Sequence, residues 1–283
     1  MSQSAPVRLG VGSTTPRRGF RVNPIVVSAL LLPLLLLFWW LVSRFELIPH
    51  ILLPSPQQVW EAVPKVVSSR GFFSQHVVRT ISEIVLGYLL GVAVGGFLGL
   101  LLGSSQKLRR AYLPVLSALQ SVPKIILAPL IIAWVGFGIT GKVLQAAIGC
   151  FYAVFVCTLA GLELADPEAI RYMHSLQASK LQILRRVRIP CALPVIFGGL
   201  QLGATMAIIG GIVSEFLAAD KGLGFLMIRY RSGFRVAEAW VLIFIFLLFG
   251  ILSYFLLQFA ERKIVFWRGH QATAEAEVLG GEA

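Results

Sequence analysis

Charge is scarce in this 283-residue chain, and acidic charge is scarcest. Charged residues make up 13% of it, with 13 Asp and Glu against 25 Lys and Arg. A soluble domain carries about 25% charged residues. Hydrophobic residues reach 57% and mean hydropathy is +0.81. A soluble core of this length has no use for so much apolar surface, whereas lipid does.

Other shortages exclude chemistry. The three cysteines, Cys150, Cys157 and Cys191, have neither zinc-site nor disulfide-framework spacing. Cys150 and Cys157 fall on one face of an apolar helix and read as small packing residues. The four histidines, His50, His76, His174 and His270, are scattered and suggest no metal site. No nucleophile stands beside a base. Gly136 to Lys142 reads GFGITGK, close to a phosphate-binding loop, but Val143 stands where Ser or Thr is needed. The same string matches a dinucleotide fingerprint. The helix after it is apolar nearly all round, which a βαβ unit excludes. It reads as a turn between two spans. The chain is therefore expected to hold no cofactor and to hydrolyse no ATP itself.

The net charge of +12 does not point to nucleic acid. The basic residues form short clusters between apolar runs, the pattern of a membrane protein facing anionic lipid. Residues 1–24 are basic and polar, a tail expected to be disordered. Six spans follow: Ile25–Ser43, Val77–Leu102, Ala111–Val135, Val143–Leu162, Leu193–Val213 and Ala237–Ala260. The first is too long for a signal-peptide core and reads as an uncleaved span. Residues 25–263 form the transmembrane domain, and 264–283 a second disordered tail. Four clusters hold 15 of the 25 basic residues: the N-tail, the loop with Lys107, Arg109 and Arg110, the loop with Arg171 to Arg188, and the C-tail. They assign that side, with both termini, to the cytoplasm. Lys142 falls at the opposite border. Lys221, Arg229, Arg231 and Arg235 precede span six on the outer side, and this segment is expected to be partly re-entrant or to line a vestibule.

Span two carries Gly87, Gly91, Gly95, Gly99 and Gly103, a four-residue ladder on one helix face. Span five repeats it with Gly199, Gly203, Ala207 and Gly211. In lipid such faces let another backbone approach closely. Polar groups at membrane depth are costly and face the protein interior. The candidates for a translocation path are Arg79 and Glu83, spaced as an i,i+4 pair, then Gln120, Ser121, Lys124, Gln201, Thr205 and Glu215. The competing reading of each is a structural contact between spans.

The loop from Asp166 to Pro194 reads DPEAIRYMHSLQASKLQILRRVRIPCALP. Asp166 and Pro167 suit a helix start. Gln177, Ala178 and Ser179 form a break before a second short helix. On physics alone this could be a basic amphipathic segment lying on the membrane.

The loop also resembles the signature loop of ABC importer permeases, whose pattern is E-A-A, three residues, G, nine residues, I-x-L-P. Arg171, Tyr172 and Met173 occupy the E-A-A places and Gln177 the glycine, so the first half departs from the pattern. Val187, Ile189 and Pro190 fit its end. Leu53 to Pro56, Ser121 to Lys124, Ala128 to Leu130, Ser214 to Phe216 and Gly222 to Gly224 resemble further segments of the nitrate, sulfonate and taurine type. The likeness covers roughly residues 45–265, and leans toward a branch that imports pyrimidine precursors and riboflavin.

The resemblance implies an all-α integral membrane protein of six transmembrane helices, the type I ABC importer permease (MetI-like) fold, in a bacterial inner membrane. It implies a non-catalytic subunit lining a path for a small solute. Its partners would be an ATPase dimer that binds the ATP, a second permease subunit, and a periplasmic or lipid-anchored binding protein. A coupling loop at about 164–190 would dock on the ATPase through Asp166, Glu168, Arg171, Tyr172, Met173, Gln177, Ala178 and Ser179. The rival classes are a secondary transporter, which usually shows internal repeats, and a membrane-embedded enzyme, which needs a catalytic constellation. Neither feature is seen.

Overall fold

A computed structural model describes residues 24–105, 111, 112, 114, 115, 118, 121–218 and 220–267, with residues 24–29, 32 and 218 described by backbone alone. All regular structure among them is helical. The helices are α1 (Pro24–Arg44), α2 (Pro56–Val67), α3 (Val78–Gly103), α4 (Leu127–Val135), α5 (Ile139–Gly161), α6 (Pro167–Ser175), α7 (Lys180–Ile183), α8 (Ile189–Ala218), α9 (Leu223–Ser232) and α10 (Val236–Ile264). π-helical turns at Phe72–Val77 and Leu184–Arg188 lead into α3 and α8.

Four of the expected spans are helices long and apolar enough to cross a membrane: Phe72–Gly103, Ile139–Gly161, Lys180–Leu217 and Val236–Ile264. The other two coincide with shorter apolar stretches, Pro33–Arg44 and Lys124–Val135. The third expected span is described only in part, and both tails lie mostly outside the described residues. The fifth differs most from expectation. It does not stop near Val213 but continues as α8 to Ala218, so Ser214 and Glu215 are helical and buried.

The core is built inside out relative to a soluble protein. The buried residues of α3 are Thr80, Glu83, Gly87, Gly91, Gly95 and Gly99. Its large side chains, such as Leu89 and Phe97, stand exposed. Lipid is as apolar as leucine, so burying leucine gains little there, and small residues that admit a neighbouring backbone gain packing instead. A Cβ on Gly91 would lie 2.7 Å from the Ala147 carbonyl oxygen, and one on Gly95 2.5 Å from that of Phe151. Rung by rung α3 and α5 run parallel. Gly87 meets Ala146, Gly91 meets Cys150, Gly99 meets Thr158 and Gly103 meets Leu162.

Helix α8 packs on both α5 and α3 in the opposite direction, with Gly211 against Ile84 and the Tyr88 hydroxyl donating to the Leu200 carbonyl. Gly199 meets Cys157, Gly203 meets Cys150 and Gly210 meets the Gln145 carbonyl, while Gly161 of α5 meets Ala192. Cys150 and Cys157 are thus packing residues of α5, and they and the exposed Cys191 of α8 are free thiols. A second cluster joins α2, α9 and α10 through Val59, Ala62, Val66, Leu223, Leu226, Tyr230 and Leu242. Trp39 of α1 stacks on Trp240 at 5.5 Å and donates its indole N–H to the Pro54 carbonyl at 3.1 Å.

These directions give the bundle two ends. The C-termini of α3 and α5 and the N-terminus of α8 meet at one, with α6 and α7 in the connection between α5 and α8. The N-termini of α3 and α5, the C-terminus of α8 and helix α9 meet at the other.

Candidate functional site

At the loop end, Asp166 caps α6 by accepting the Glu168 backbone N–H at 2.8 Å, with Pro167 in the first turn. Proline is favoured there because that N–H has no helical partner. The helix ends where Gln177 takes φ = +57°, a left-handed conformation that costs a side-chain-bearing residue about 1–2 kcal/mol. The Ala178 N–H returns to the Met173 carbonyl at 3.0 Å and closes the turn. Ser179 then caps α7 in a reciprocal pair with Gln182. The break is rigid because both of its sides are capped.

The expected docking residues therefore share one short projecting element. Asp166, Glu168, Arg171, Tyr172, Gln177 and Ser179 are exposed, and Met173 and Ala178 half-buried. Arg171 leans on Glu168 at 3.6 Å, both largely exposed, a contact worth only a few tenths of a kcal/mol (~0.3–0.5). Tyr172, Leu176 and Leu181 lie 66%, 60% and 72% exposed. Arg188 anchors the second half of the loop, donating to the Gly103 carbonyl at the end of α3 at 3.5 Å. A cavity of about 430 Å³ between Gly103, Leu162, Ile170 and Arg188 separates α6 from the bundle.

The translocation-path candidates do not converge. Gln120 lies outside the described residues. Ser121 is exposed, and Lys124 sets its ammonium over the Tyr152 ring, 5.4 Å from the centroid. Gln201 donates to Glu261 at 3.2 Å, linking α8 to α10, and exposed Thr205 bonds the Gln201 carbonyl at 3.4 Å. Arg79, Glu83 and Glu215 gather at the far end.

There Glu83 Oε1 accepts from Arg79 Nε and from Lys142 Nζ, each at 3.1 Å. Glu83 and Lys142 are 1% and 2% exposed. Glu215 Oε1 accepts the Thr80 hydroxyl at 2.6 Å, and its Oε2 accepts the Gly224 N–H at 2.6 Å. Thr80 Oγ1 in turn accepts the Leu223 N–H at 2.8 Å. His76 Nδ1 lies 3.0 Å from both the N–H and the carbonyl of Gly222. Gly222 has φ = +116°, and a Cβ there would run into the Glu215 carboxyl. The turn into α9 is thus held on α3 and α8 by side chains from both.

Sequence reasoning missed Lys142, which it placed at the outer border, and also Thr80, His76 and Arg188. Lys142 lies 59 residues after Glu83. The same offset relates Gly87 to Ala146, Gly91 to Cys150, Gly99 to Thr158 and Gly103 to Leu162.

Residues 87–266 match the family described as binding-protein-dependent transport system inner membrane component. The chain belongs to this family. The permease is 35% identical over 240 residues to a riboflavin transport system permease protein of Chloroflexus aurantiacus, covering 83% of this chain and 88% of that one. It is 31% identical to a formylaminopyrimidine transport permease protein of Halalkalibacterium halodurans, covering 84% and 94%. It is 31% identical to a taurine transport system permease protein of Escherichia coli, covering 87% and 90%. The permease subunit of the MetNI methionine ABC transporter, in an inward-facing conformation, shares the fold with a TM-score of 0.55 over 75% of this chain and 97% of that one, at 24% identity. The protein is thus a membrane-embedded ABC importer permease, a transport component whose family implies an ATPase and a binding protein as partners.

Proposed function

We propose that this permease pairs with a copy of itself in a bacterial inner membrane, termini cytoplasmic, and that α6 docks on an ATPase subunit that binds the ATP. The chain itself then carries no cofactor, metal or catalytic residue. The observation that carries this reading is α6: a capped helix at the end where α3 and α5 finish, with Tyr172 and Leu176 exposed at its edge and Leu181 exposed on α7 across the break. One chain supplies one such helix, so an ATPase pair requires two permease chains. ATP closing the ATPase pair draws the two loops together and shifts the helices between inward- and outward-facing arrangements. The usual acidic anchor is replaced by Arg171, so the partner groove is expected to offer a carboxylate there.

The substrate we propose is a pyrimidine or flavin-type vitamin precursor, supported by the 35% and 31% identities to the riboflavin and formylaminopyrimidine permeases. A sulfonate-type anion is the second reading, supported by the taurine permease and by the basic outer segment with Arg229, Arg231 and Arg235. Co-expression with a candidate ATPase subunit and binding protein tests both levels. Retention of the ATPase on the tagged permease, lost in Arg171→Glu, supports the docking; unchanged retention and transport in that variant sinks it. The ligand carried by the binding protein decides the substrate.

A further inference from the structure

The far-end cluster contains an unmet acceptor. Glu83 and Glu215, on different helices and each nearly fully buried, lie close enough to interact, with Thr80, three residues before Glu83 on α3, donating to Glu215 at 2.6 Å. Both oxygens of Glu215 already accept a donor, from Thr80 and from Gly224. The Thr80 hydroxyl has spent its one hydrogen in doing so. Glu83 Oε1 takes Arg79 and Lys142, whereas Glu83 Oε2 is buried and receives no donor. Two carboxylates in contact, one with a bare oxygen, repel in a medium too poor in water to screen them. One hydrogen between them turns the repulsion into a short, charge-assisted bond.

We propose that Glu83 and Glu215 form a proton-binding site in which the pair shares one proton, held between Glu83 Oε2 and the Glu215 carboxyl. The proton belongs to the pair as a unit. The surrounding charged and titratable groups are Arg79 and His76 beside the start of α3, Lys142 from α5, and Lys221 and Arg229 on the α9 side. With the proton bound the four-residue cluster of Arg79, Glu83, Lys142 and Glu215 carries one positive charge; without it the cluster is neutral. The bond ties α3 to α8 and, through Gly224, to the turn into α9. Resting on the importer reading, this makes it a latch on the end opposite the coupling loop. Separation of α3 from α8 exposes both carboxyls to water and releases the proton, so higher pH favours the separated state and lower pH the joined one.

The two glutamates are not equivalent under this assignment. Glu83→Gln keeps an acceptor for Arg79 and Lys142 and supplies a permanent N–H donor to Glu215, so it stands in for the protonated state. Glu215→Gln sets an amide NH₂ where an acceptor is required. The test is infrared spectroscopy of the full-length chain in lipid nanodiscs at neutral pH, which needs neither ATPase nor substrate. The wild type is expected to show the C=O stretch of a buried protonated carboxyl. That band should vanish in Glu83→Gln, which stays folded, and in Glu215→Gln, where the cations ionise Glu83. In the wild type the band should titrate away at alkaline pH. Absence of the band at neutral pH, or its survival in both variants, overturns the proposal. Failure of the ATPase to co-purify would overturn the docking reading and leave this result standing.

Discussion

Gly91 lies against the backbone of Ala147 with room for a hydrogen and nothing larger: a Cβ there would come 2.7 Å from the Ala147 carbonyl oxygen and 2.9 Å from Cys150 Cβ. Gly96 in the same helix meets nothing within 4 Å. Gly91→Ala should therefore destabilise the folded chain by about 1–3 kcal/mol, the usual range for overpacking, whereas Gly96→Ala should be neutral or slightly stabilising. Unfolding of the two variants in mixed detergent, read by circular dichroism, checks the contrast. Equal midpoints would mean that α3 and α5 do not pack as described.

Removing the acceptor for Lys142 should be worse than altering it. Glu83→Leu leaves an ammonium 2% exposed with no carboxylate, a change that typically costs about 3–5 kcal/mol. Adding Lys142→Met to that background should recover most of the loss, because the stranded charge goes with it. A double-mutant cycle on unfolding free energies tests this, and additive effects would argue against a direct pair.

The break between α6 and α7 predicts a gain. Gln177 at φ = +57° should accept glycine with a stabilisation of up to about 1 kcal/mol, from relief of left-handed strain partly offset by backbone entropy. Gln177→Ile should lose a comparable amount and loosen α6. Hydrogen exchange across 166–183 reads the difference directly, with protection rising in the first variant and falling in the second.

Tyr172, 66% exposed, is the aromatic side chain on the free edge of α6. If α6 enters an ATPase groove, Tyr172→Ala should weaken ATPase retention by about tenfold or more, the range for a buried aromatic hot spot. Ser175→Ala, on an exposed residue bonded only to its own helix at the Tyr172 carbonyl, should change little. Titration of the ATPase against permease in nanodiscs separates the two, and equal affinities would remove α6 from the interface.

Local chemistry was legible in the sequence and long-range pairing was not. The Asp166–Pro167 start, the break at Gln177 and the glycine ladder all follow from spacing and capping within one segment, and each falls where expected. The burial of Lys142 is not legible because an isolated lysine near a turn looks like a solvated border residue. Only its contact with a helix 59 positions earlier makes burial affordable. The end of α8 was set too early for the same reason. Ser214 and Glu215 look like the start of a loop until Thr80 and Gly224 supply the donors that let them remain in the helix. The π-helical turns before α3 and α8 have no local signature.

The constant offset between α3 and α5 carries a consequence for how this chain can change length. Each rung from Glu83–Lys142 to Gly103–Leu162 depends on the same count of residues between the partners. One residue inserted within α3 turns every later glycine by about 100° and presents a leucine or valine to the α5 backbone in its place. Insertions after Gly103 and before Ile139 leave both ladders in phase. Natural length variation among relatives should accordingly collect in that connection and be absent between 83 and 103 and between 142 and 162.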